Sequence, residues 1–116
     1  MHIFSAKAAA ATLALAFAVS LTWVSTAGAG EAKAGKAQYD KLCTSCHGAD
    51  GKGNPAMAKS MGEKGLNLTT KEVKDAKDEE LIKVITEGKG KMPASGKSLS
   101  KSEQKEVVEY VRSLGK

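Results

Sequence analysis

The chain is short of nearly everything a small domain uses to hold itself together. Its 116 residues include two cysteines, two prolines and one tryptophan, and aromatics make up 4%. Two cysteines cannot build a disulfide framework, and Cys43 and Cys46 are too close together to close a stabilising loop. Histidine is nearly as scarce, with only His2 and His47, so four Cys or His ligands for structural zinc cannot be assembled. No run alternates as a strand would, and there is no internal repeat. There is also no basic helix face interleaved with aromatics, which removes nucleic acid as a partner.

The one long apolar run lies at the start. Lys7 gives a short positive region, Ala8 to Val24 is apolar apart from Thr and Ser, and Ala27-Gly28-Ala29 offers small residues of the kind a signal peptidase reads. Residues 1–29 are therefore expected to be a cleaved signal peptide, with cleavage after Ala29. That places residues 30–116 in the periplasm as a single domain, with no membrane contact unless the leader is kept as an anchor. Loss of the leader removes Phe4, Phe17 and Trp23 and leaves Tyr39 and Tyr110 as the only aromatics. A chain so short and so poor in core residues needs a staple.

The staple is written in Cys43-Thr44-Ser45-Cys46-His47. A C-x-x-C-H run is the attachment signature of a c-type haem: two thiols form thioethers and the histidine that follows ligates the iron. A thioredoxin-like dithiol would need a βαβ context, yet Ala34 to Leu42 reads as helix. Haem, a large flat apolar body, supplies what the core lacks and couples cofactor binding to folding.

Helical patterns fill the rest. Glu31 to Leu42 predicts a first helix, with Gly35 and Tyr39 at i and i+4 on one face. Gly48 to Pro55 is a loop by its glycine, asparagine and proline content, and no strand or Lys-Ser/Thr pair makes it a phosphate loop. Thr69-x-x-Glu72 is expected to cap a short helix. Asp78-Glu79-Glu80 introduces a longer one bearing Leu81, Ile82, Val84 and Ile85 and ending at Gly88. Lys89 to Gly96 reads as an open loop. Ser100-x-x-Glu103 caps the last helix, whose Val107, Tyr110, Val111 and Leu114 form an apolar stripe expected to cross the first helix at Gly35.

One histidine leaves the sixth iron position to be filled. Met57, Met61 and Met92 are the candidates, because thioether sulfur is the usual alternative and raises the reduction potential. Met92, in a loop and followed by Pro93, is the expected ligand, with Met61 in reserve; Met57 and Met61, four apart, fit core packing on a short helix.

In the order Gly35-x-x-x-Tyr39, Cys43-x-x-Cys46-His47-Gly48, Gly51-x-Gly53, Met92-Pro93 and Val107-x-x-Tyr110-Val111, residues 31–116 resemble the small bacterial class I cytochromes c. The resemblance implies an all-α fold of roughly three to five short helices around one covalently attached haem, with the terminal helices crossed. It also implies His47/Met92 ligation of the iron and single-electron transfer outside the cytoplasm. Pro55 looks like the residue whose carbonyl accepts from the proximal histidine, which would fix the ring. No tryptophan remains to hold a haem propionate. The expected role is that of a monomeric electron carrier, not an enzyme, docking transiently and partly electrostatically with other redox proteins through a lysine-rich rim. The competing class, a peroxidase-like or ligand-binding haem protein, needs a distal acid–base residue that a chain with His47 already committed does not offer.

Overall fold

The computed structural model describes residues 27–116; the leader expectation for residues 1–26 lies outside the described residues. Six helices follow one another: α1 (Ala27–Leu42), α2 (Thr44–His47), α3 (Pro55–Met61), α4 (Lys71–Asp75), α5 (Asp78–Glu87) and α6 (Lys101–Ser113). No strand occurs among them; the nearest approach is an isolated bridge between Lys89 and Met92. α2 and α4 are single turns, so the longer elements are those the periodicity predicts. α1 already includes Ala27, ahead of the expected cleavage point after Ala29.

The principal helix–helix interface joins the two ends of the domain, α1 and α6, with α5 packed more lightly on α6. Gly35 makes this crossing possible. A Cβ built there would overlap the Glu106 carbonyl and come within 2.8 Å of the Val107 nitrogen, so only a glycine lets the α6 backbone lie so close. One turn further on, Tyr39 is fully buried, its ring 5.0 Å from that of Tyr110 at 62° in an edge-to-face pair. Gln38 adds a 3.1 Å hydrogen bond to Glu103 across the same seam. Val107 is buried as its stripe predicts. Val108, outside that stripe, is buried as well, since α6 is flanked by both α1 and α5.

Helix starts follow from local chemistry. Ser100 accepts from Glu103 N at 3.2 Å and Glu103 Oε2 accepts from Ser100 N at 2.7 Å, the reciprocal box expected there. At α4 the expectation shifts by one residue. Thr70 is the cap, accepting from Val73 N, while Thr69 turns back to Asn67 Oδ1 through both its N–H and its hydroxyl. Its own backbone amide and then the Thr70 hydroxyl hold the Glu72 carboxyl below its ordinary range.

Arg112 ties the C-terminal helix to the α4–α5 connection. Its guanidinium donates to the carbonyls of Val73, Lys74 and Ala76 and twice to Asp78 Oδ1, the closest contact being 2.6 Å. It thus caps the end of α4 as a cation at a helix C-terminus. Arg112→Met, which keeps the stem but leaves those carbonyls without a donor, is expected to lose about 2 kcal/mol in chemical denaturation. Asp78→Asn should cost less than about 1 kcal/mol, because that carboxylate is half exposed and the carbonyl bonds survive.

Candidate haem site

α1 delivers the attachment turn. Leu42 ends the helix, Cys43 N still donates to Tyr39 O at 2.8 Å, and the chain recoils at once into α2, with His47 N on Cys43 O at 2.9 Å. The Tyr39 hydroxyl donates to Gly48 O at 2.7 Å, so the buried tyrosine holds the turn from behind. Burial, and secondarily the nearby Cys43, keeps that phenol above its ordinary pKa and therefore a donor. Both cysteines are free, which leaves two thiols on one turn. Burial and then Cys46 push the Cys43 thiol up to about 11, so it remains protonated near neutral pH and is a poor partner for disulfide exchange.

His47 is fixed on several sides. It is 6% exposed, and its Nδ1 lies 2.8 Å from Leu66 O. A carbonyl can only accept, so Nδ1 carries a proton; in the neutral ring that puts the lone pair on Nε2, the tautomer a metal needs. Its own carbonyl accepts from Gly53 N at 2.7 Å, while Asn54 N bonds Cys46 O at 2.9 Å. Gly53 takes φ +102° with Leu66 Cβ only 3.0 Å from where a side chain would stand, so the loop can fold under the histidine only with glycine here. The expectation for Pro55 is corrected by this geometry. The carbonyl at Nδ1 belongs to Leu66, and Pro55 instead occupies the first turn of α3, where a missing N–H costs nothing. Leu66 has no signature in the sequence, because a backbone acceptor needs no particular side chain; Leu66 and Leu68 are simply apolar residues in a polar loop.

The Met92 segment is more constrained than the open loop expected. Lys89 N donates to Met92 O and Met92 N to Lys89 O, both at 3.0 Å, closing a tight turn just after α5. Gly96 N returns to Ile85 O at 2.7 Å and fastens the far end. Met57 and Met61 lie on α3, which has no buried residue; all three methionines are half-buried.

These features suit a haem. Among the described residues the polypeptide buries only Tyr39, Leu66, Val107 and Val108 as an apolar core, whereas Leu81, Ile82, Val84 and Ile85 of the amphipathic α5 stay half-exposed. A flat apolar cofactor would complete that core, thiols and an oriented imidazole are the donor set it requires, and no group of three or more His, Cys, Asp or Glu among the described residues could hold a bare ion instead.

Comparison with known proteins agrees. Residues 30–111 match the model of the family described as cytochrome c oxidase, cbb3-type, subunit III, a class I c-type cytochrome domain. The chain is 38% identical to cytochrome c6 of Gloeothece citriformis over 91 residues, covering 78% of this chain and 77% of that one. It is also 38% identical to cytochrome c6 of Rippkaea orientalis over 95 residues, 82% and 79% of the two chains. The chain belongs to the class I cytochrome c family. As such, the cytochrome carries covalently bound haem c with its iron and transfers electrons; it is not an enzyme. A subunit CcoP of the cbb3-type oxidase of Azospirillum brasilense is 34% identical over 88 residues, but the cytochrome spans only 30% of that relative's length.

Proposed function

We propose that the cytochrome is a periplasmic, mono-haem, one-electron carrier in which Cys43 and Cys46 hold the haem as thioethers and His47 and Met92 ligate its iron. The observation that carries this reading is the Nδ1–H of His47 donating to Leu66 O, which orients the ring and keeps Nε2 as the nitrogen for the iron, directly after the two thiols. The bound haem supplies an iron that cycles between ferric and ferrous states. What the polypeptide supplies is a fixed imidazole, a thioether that favours the reduced form, and an apolar wrap that keeps water away.

Export is supported by the leader pattern at residues 1–29. Among the described residues no helix is long and apolar enough to cross a membrane. Partners are other redox proteins, met through small, short-lived contacts that weaken with salt. The Azospirillum relative is named as an oxidase subunit, so co-purification with a membrane oxidase at stoichiometric ratio would recast the cytochrome from a free monomeric carrier to a dedicated subunit.

Methionine ligation is tested by replacement. Met92→Ala should abolish the weak far-red band of the ferric protein and lower the midpoint potential by on the order of 0.1 V. Met61→Ala should change neither. The opposite pattern would transfer the sixth position to Met61.

A further inference from the structure

Beyond the ligands themselves, the α3 segment is bound to both sides of the candidate site. At its end, Lys91 Nζ donates to Ser60 O at 3.0 Å, across 31 positions of sequence. Ser60 lies in the last turn of α3, where an unpaired carbonyl favours a cation. At its start, Asn54 caps the helix by accepting from Ala56 N at 3.0 Å, and its amide donates to Ser45 O at 2.8 Å inside the attachment turn. Asn54 N bonds Cys46 O as well. A continuous route of hydrogen bonds therefore runs from the Met92 turn through Lys91, α3 and Asn54 to the turn that carries His47. Apart from Lys91 and the iron itself, the hydrogen bonds that hold the Met92 turn among the described residues are its own Lys89 pairing and the return of Gly96 N to Ile85 O on α5.

We propose that Lys91 is a positioning residue for the sixth iron ligand, clamping the Met92 turn to α3 and so to the attachment turn. The proposal rests on Met92 being that ligand. When Met92 leaves the iron its turn must move, and the Lys91–Ser60 bond opposes that movement; removing the bond makes displacement easier.

The test uses the haem-loaded ferric protein with imidazole as the displacing ligand. Lys91→Met, which keeps the stem and loses the donor, should bind imidazole about three- to tenfold more tightly, the range for a charge-assisted hydrogen bond at an exposed site. Lys91→Arg should restore native affinity. Lys89→Met removes the same charge from the same turn without breaking a bond to α3, and should stay within about twofold of wild type. Equal effects of Lys91→Met and Lys89→Met would overturn the clamp in favour of simple charge loss. In a Met92→Ala background Lys91→Met should have no effect on imidazole affinity, and a persisting effect would also overturn it. If Met92→Ala itself left both the far-red band and the imidazole affinity native, the ligand assignment would fall first and the clamp with it.

Discussion

Gly35→Ala is expected to destabilise the haem-loaded protein by about 3 kcal/mol or more, the upper end for overpacking, because the obstacle is a backbone carbonyl and not a side chain that can swing away. Alanine is the better helix former by about 1 kcal/mol, so an isolated α1 would gain from the change. At this position the new methyl group overlaps the carbonyl of Glu106 and approaches Val107 N to 2.8 Å. Relief requires α6 to move outward, and that would loosen the fully buried Tyr39 and its contact with Tyr110. Since domains of this size are stable by only about 5–15 kcal/mol, the melting temperature should fall by roughly 12 °C or more. Gly30→Ala is the open-space control: nothing lies within 4 Å of it, and with cleavage after Ala29 it is the first residue of the chain, so the change should be neutral. Guanidinium denaturation followed by far-UV circular dichroism would measure both, and a Gly35→Ala protein as stable as Gly30→Ala would mean that the helices do not cross so closely.

The second large effect concerns the cofactor. A Cys43→Ala/Cys46→Ala chain, prepared without haem, is expected to lose most of its helical signal and to melt without a cooperative transition. Among the described residues the polypeptide alone seals only four apolar side chains, and α5 contributes none of them. Its apolar stripe therefore has little to pack against, and helices as short as α2 and α4 do not persist in water without tertiary support. Added haem should restore part of the helix content, since a ligand that binds only the folded state draws the chain toward it. Native helicity and a sharp melt in the double variant without haem would show that the core is sufficient by itself.

Where the sequence is informative, the reason is that side chains carry the signal. The attachment motif, the Ser100–Glu103 box and the Gly35/Tyr39 face all depend on residue types with few alternative uses, and the all-α fold and the crossing of the terminal helices follow from them. The reading loses accuracy where the backbone does the work. Leu66 meets His47 through its carbonyl, an atom every residue possesses, so no side chain marks it and the family resemblance points to Pro55 instead. Thr69 and Thr70 offer the same cap chemistry one residue apart, and the choice falls to Thr70 because Asn67 already engages Thr69. The turn at Met92 was similarly hidden, being closed by main-chain pairing between Lys89 and Met92.

The pairing of α1 with α6 also sets an order of events. A chain delivered N-terminus first presents Cys43, Cys46 and His47 directly behind α1, while the helix that seals α1 is the last to arrive; Gln38 must wait 65 positions for Glu103. Until then Tyr39 has no α6 to cover it, and the thiols stand on an unfinished surface. Under the proposed export, covalent loading at these thiols would have a window before the two ends of the chain meet, since long-range contacts of this kind form slowly. On that route the crossing of α1 and α6 would also be the latch that shuts over the attachment turn.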